Sequence, residues 1–147
     1  MKLPILVLLA TIFTLAAHAD VTVSDPWARA SILASRPAAA YLTLVSDGGD
    51  RLIEARSPVA GEIIVHASDT DDAGLSRMKH VTRVDLSAGE AVTFAPGAMH
   101  LMLTGLSEKL VEGTSFPLTL RFETAGEVTV DVPVLGVGAS GPEGGQR

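Results

Sequence analysis

The stretch GAMHLMLTGL, residues 97–106, sets His100 between Met99 and Met102, in a chain that has four histidines, four methionines and no cysteine. Side chains alternate across a strand, so His100 and Met102 share one face while Met99, Leu101 and Leu103 share the other. The second face is wholly apolar and is assigned to the core, which leaves His100 and Met102 pointing together toward the opposite surface. Taken alone, an H-x-M pair is a weak signal, more often an ordinary surface or half-buried histidine than a metal ligand. Two more segments shift the balance. GEIIVH (61–66) puts His66 at a strand end beside the polar stretch ASDTDDAG (67–74). LSRMKHV (75–81) carries Met78, with His80 two positions on and on the same face. A β-sandwich can gather His66, Met78, His100 and Met102 at one end. Imidazole and thioether without carboxylate form a soft ligand set, which favours Cu(I) over Mg(II), Ca(II) or Mn(II). Thioethers form no disulfides, although they oxidise to sulfoxide. A site without thiolate also holds copper loosely enough to pass it on.

Each of these residues has a plainer reading. Met is a common gap-filler, so Met78 on its own reads as a core residue. Met99 is assigned to the core, and His80 to a solvent-facing or hydrogen-bonded position. Trp27, the single tryptophan, reads as a core or rim anchor and Arg29 as a solvated charge. Tyr41 falls inside a strand and is expected to pack. The acidic run DTDD (69–72) fails as an EF-hand loop, because its twelfth position is His80 where a glutamate is needed. No G-x-S-x-G, cysteine nucleophile or H-E-x-x-H is present, so the chain is not read as an enzyme.

The elements that must position these residues are short strands separated by turn signals. Strand-forming runs occur at VTVS (21–24), AAYLTLVS (39–46), RLIEARS (51–57), GEIIVH (61–66), LSRMKHVTRVDL (75–86), AVTF (91–94) and MHLMLTGL (99–106). FPLTLRFET (116–124) and EVTVDVPV (127–134) flank the turn AG and read as a closing hairpin. This spacing predicts an all-β, antiparallel sandwich or barrel. Only SEKLVEGT (107–114) is compatible with a helical turn.

The chain opens MKLPILVLLATIFTLAAHAD. A basic n-region, an apolar run and the small-x-small triplet Ala17-His18-Ala19 predict a secretory signal peptide over 1–19. Residues 20–135 are then one domain, and residues 136–147, GVGASGPEGGQR, are expected to be a flexible Gly-rich tail. The apolar run is short for a membrane span and no second one follows, so the mature form is expected to have none. With no cysteine to carry a lipid, a lipoprotein is not expected. Loss of Lys2 with the leader takes the net charge from −6 to −7. So acidic a domain is a poor partner for nucleic acid or an anionic membrane.

The ligand spacing carries a resemblance. Eleven residues separate His66 from Met78, twenty-one separate Met78 from His100, and one separates His100 from Met102. This resembles the signature of the PCu(A)C family of periplasmic copper chaperones: a His, an optional adjacent Met, ten residues, a Met, twenty-one residues, then His-x-Met. VTVSDPWARAS (21–31), AAYLTLVSDGGDRLIEARSPVAGEIIVH (39–66) and APGAMHLMLTGL (95–106) are similar to the family's flanking text. The resemblance implies a cupredoxin-like antiparallel β-sandwich that binds one Cu(I) through His66, Met78, His100 and Met102. It further implies a periplasmic metallochaperone delivering copper to the copper sites of respiratory oxidase, with an oxidase subunit or a Sco-type thiol protein as partner. The chain departs from the pattern in having Ala67 at the optional Met and His80 at a position where relatives often carry proline. Its tail also lacks the His/Met-rich extension that takes Cu(II) in some relatives. The rival reading is an exported β-sandwich that serves as a binding or structural module without metal. A blue-copper carrier is excluded, since its His2Cys site needs a cysteine.

Overall fold

Alternation of apolar and polar residues organises ten strands in a computed structural model that describes residues 20–142. The leader expected over 1–19 and the last five residues of the tail, 143–147, lie outside the described residues. The strands are β1 (Val21–Arg29), β2 (Ala38–Ser46), β3 (Asp50–Arg56), β4 (Ala60–Thr70) and β5 (Ser76–Val81). They continue with β6 (Val84–Leu86), β7 (Ala91–Thr93), β8 (His100–Leu106), β9 (Ser115–Phe122) and β10 (Gly126–Leu135). Hydrogen bonding follows the path β5-β4-β8-β2-β1-β10-β9-β3-β6, with β7 pairing β2. No helix occurs among the described residues, and SEKLVEGT forms turns.

The two halves of this path face each other across one core. Leu42, Leu44, Leu101 and Leu103 come from the first half, and Leu52, Leu118, Leu120, Phe122 and Val132 from the second. Each of these is the inward member of an alternating strand, and burying apolar area of this kind is the main stabilising term. The fold is thus an all-β sandwich, one of the two forms the pattern predicts, and is cupredoxin-like, as the resemblance implies. One join is parallel: Ala28 and Arg29 of β1 pair with Val134 and Leu135 of β10. The last strand thereby closes onto the first.

Two boundaries differ from the sequence reading in ways that matter to the site. β1 does not stop at Ser24. A bulge at Asp25 and Pro26, with Asp25 at φ 50°, carries it on to Arg29 and sets Trp27 opposite Tyr41. β4 does not end at His66 either. Ala67 to Thr70 pair with Lys79 to Ser76, so His66 sits in mid-strand. Most of these residues are polar, as suits the exposed edge that β5 forms. Their pairing is closed by Asp71, whose carboxylate accepts from the backbone N–H groups of Ala73 and Leu75.

The start of the Gly-rich tail lies against the sandwich. Gly136 to Ala139 form a turn, and the Ala139 carbonyl accepts a 2.7 Å hydrogen bond from Arg29 Nε.

Candidate metal centre

β4 lies between β5 and β8, and its register decides what meets on the sheet. His66 pairs with His80 on one side and His100 on the other. Directly paired residues point to the same face, so the three imidazoles form a row across three strands. The ring centres of His66 and His100 are 5.6 Å apart, and those of His66 and His80 are 6.2 Å apart, both edge to face. Ile63, Val65, Val81, Leu101 and Leu103 point the other way, into the core. The row therefore belongs to the outer face, as alternation predicts for His100 and Met102.

The methionines flank the row. Met102 pairs with Ile64 and Met78 is opposite Ser68, so each is a diagonal neighbour of His66 on that same face. Diagonal neighbours lie about 7–8 Å apart, a separation that long side chains bridge. The two thioethers stand on opposite sides of the row. Met102 is next to His100, two residues along β8. Met78 is next to His80, on the edge strand, with 63% of its surface exposed. An exposed Met beside two histidines is not filling a core gap, so the core reading of Met78 falls. The fold thus collects all four spaced residues on one face, around His66. It also adds His80, whose direct opposition to His66 depends on a hairpin register not legible in the spacing.

The environment of the row is unequal. His100 is only 7% exposed, which differs from the open surface position that alternation alone suggests. Its Nδ1 lies 3.3 Å from the Ala98 carbonyl. A carbonyl can only accept, so Nδ1 carries the proton in that contact and Nε2 keeps its lone pair for a ligand. His66 Nδ1 is buried with no hydrogen-bond partner. A buried polar atom left in this way is costly unless something else occupies it. Burial, and then the neighbouring His100 and His80, hold the His66 pKa below its ordinary 6.5, which favours the neutral ligating form. Among the described residues no three His, Asp or Glu side chains close around a common point. An ion held here by more than two protein ligands therefore draws on thioether or on a turn of the His80 ring.

Backbone shape supports the row from a distance. At the far end of β8, Gly105 adopts φ 60°, and a Cβ there would lie 3.4 Å from the Gly61 backbone of β4. The glycine pair permits the close approach of the two strands that carry His66 and His100.

The fold and this face define a small β-sandwich with imidazole and thioether displayed side by side. A family model described as "Putative lipoprotein LpqE-like" matches residues 21–134. The chain belongs to that family, which is the PCu(A)C family. A relative from Leifsonia xyli subsp. xyli named "Putative lipoprotein Lxx21020" is 29% identical over 114 residues, covering 78% of this chain and 69% of its own length. Among solved structures, the copper-bound PCuAC domain from PmoF2 is 30% identical with a TM-score of 0.66, over 79% of this chain and 92% of that domain. The Cu(I) form of DR1885 from Deinococcus radiodurans is 28% identical with a TM-score of 0.60, over 81% of each chain.

Proposed function

We propose that this protein is an exported Cu(I) carrier. It acts in the periplasm and passes copper to the copper sites of a respiratory oxidase, directly or through a Sco-type thiol protein. The observation that carries the reading is the His66–His100 pair, flanked diagonally by Met78 and Met102, with an unpartnered nitrogen at its centre. His66 and His100 supply imidazole nitrogens, and Met102 and Met78 supply thioether sulfurs. Cu(I) accepts this soft, neutral, irregular set, whereas Mg(II), Ca(II) and Mn(II) need oxygen ligands that the row lacks. The similar PmoF2 domain and DR1885 are described with bound copper, which supports the choice of metal.

The unequal burial suggests how the metal leaves. Closing Met78 onto the ion requires it to lean in from the edge strand, and its exposure leaves it free to do so and to withdraw. An incoming thiolate, softer and anionic, replaces a neutral thioether readily, and the edge is where it arrives first. A metal with four protein ligands has no open position for substrate, so the copper is cargo and the protein is not an enzyme. Export is supported by the leader sequence and by the lipoprotein names of the family and its relative. The lipid itself does not carry over, because this sequence has no cysteine to bear it.

The test is transfer. Cu(I)-loaded protein is mixed anaerobically with the soluble copper domain of an oxidase subunit, or with a Sco-type protein, and copper is measured in each after separation. Movement of one equivalent supports the reading. Retention of the copper by this chain against both acceptors contradicts the delivery role. A chain that takes up no copper at all returns the rival, a metal-free binding module.

A further inference from the structure

The position of His80 is left unused by a two-imidazole, two-thioether site. Met78 and His80 are two residues apart on β5, so they share the outer face of the same edge strand. His80 is directly opposite His66, whereas Met78 is only its diagonal neighbour. The ring separations of 5.6 and 6.2 Å on either side of His66 have a chemical meaning. Two imidazoles that each place a nitrogen about 2.0 Å from one ion have ring centres on the order of 4.5–6.5 Å apart, from adjacent to opposite placement around it. In this structure the rings form a row and not a closed cluster. His80 is exposed, however, so its ring is free to turn toward His66 across the outer face.

The geometry points to a second way of holding copper on the same face: Cu(II) bound by His66, His80 and His100, with His80 taking the place of Met78. The inference rests on the reading of His66 and His100 as copper ligands and extends it to the other oxidation state. Three neutral imidazoles with water in the remaining positions give the nitrogen and oxygen set that Cu(II) takes in tetragonal geometry. Cu(II) also stands highest among the divalent first-row ions for such ligands. Thioether is a poor ligand for Cu(II) and a good one for Cu(I). β5 therefore presents a choice of ligand two residues apart, Met78 for Cu(I) and His80 for Cu(II). Binding in either state involves no electron transfer.

The experiment compares the full chain with His80→Ala and Met78→Ala. Cu(II) affinity is measured by competition with glycine and Cu(I) affinity by competition with bicinchoninate under anaerobic conditions. Nitrogen hyperfine structure is read from the Cu(II) electron paramagnetic resonance spectrum. His80→Ala is expected to lower Cu(II) affinity at least tenfold, to reduce the nitrogen hyperfine pattern by one imidazole and to leave Cu(I) affinity within twofold. Met78→Ala is expected to do the reverse. Cu(II) affinity and spectra unchanged by His80→Ala overturn the inference, as does an equal loss of both oxidation states. Failure of the unsubstituted chain to bind Cu(I) instead contradicts the carrier reading, and the Cu(II) comparison still decides the role of His80. His80→Gln, with apo melting temperature as a control, covers a folding defect in the alanine variant.

Discussion

One sheet face carries two regions of opposite character. Over β5, β4 and β8 it holds His80, His66 and His100 in a row with Met78 and Met102 beside them. Over β2 and β1 it holds Tyr41 and Trp27, with ring centres 4.4 Å apart, each only 4% exposed. The Arg29 guanidinium lies 5.8 Å from the Tyr41 ring centre and also binds the carbonyl of Ala139. The aromatic region is packed: the two rings lie against each other, a cation faces Tyr41, and the chain after β10 holds that cation through the Ala139 carbonyl. The imidazole region has an unpartnered buried nitrogen, an exposed thioether and an edge strand. The first region contributes stability; on the proposed reading, the second keeps its unsatisfied groups for a ligand. A division of this kind is expected where function calls for groups that folding alone would not favour.

Substitutions in one region or the other test whether the two are independent. The largest effect is expected from Trp27→Ala. Truncating a buried tryptophan costs about 3–5 kcal/mol. Thermal unfolding should show that loss, while Cu(I) stoichiometry measured at low temperature stays at one. Loss of copper binding in the folded variant would show that the regions are coupled. His66→Ala should act in the opposite sense. It removes the central ligand, so Cu(I) affinity should fall by more than ~100-fold, beyond the 10–100-fold typical of groups that only orient a ligand. Its apo melting temperature should not fall, because it also removes a buried nitrogen that has no partner. Arg29→Ala should cost about 0.5–1 kcal/mol from the cation–π contact, together with release of the chain after β10, and should leave copper affinity unchanged.

The smallest effect is in pH dependence. The folded His66 pKa lies below 6.5, so between that value and 6.5 the unfolded chain binds the extra proton and the folded chain does not. Stability from this group is present above pH 6.5 and is lost as pH falls through the folded pKa. The decline in melting temperature below pH 6.5 should therefore be shallower in His66→Gln than in the unsubstituted chain. Parallel declines would remove His66 as the cause.

Much of the fold was legible because alternation is a local signal. Leu101 and Leu103 are fully buried, and Met99 packs against the core, as MHLML predicts. That His66, Met78, His100 and Met102 gather on one face was legible only through their spacing, since no local rule says that residues 66 and 100 will be paired. The hairpin register escaped for a physical reason. Ala67 to Thr70 and Ser76 to Lys79 form an exposed edge and carry no apolar pattern, so the sequence places a loop where β4 and β5 continue. That extension is what sets His80 opposite His66. The burial of His100 and of Trp27 likewise depends on contacts with residues distant in sequence.

On the proposed reading, the outer face of β4 and β8 binds Cu(I). The most direct test is an anaerobic Cu(I) titration against a chromophoric chelator, with the unsubstituted chain and the His100→Ala/Met102→Ala variant run together. One tight equivalent is expected in the first and its loss in the second. Identical curves, or no competition with the chelator by either protein, would contradict that reading.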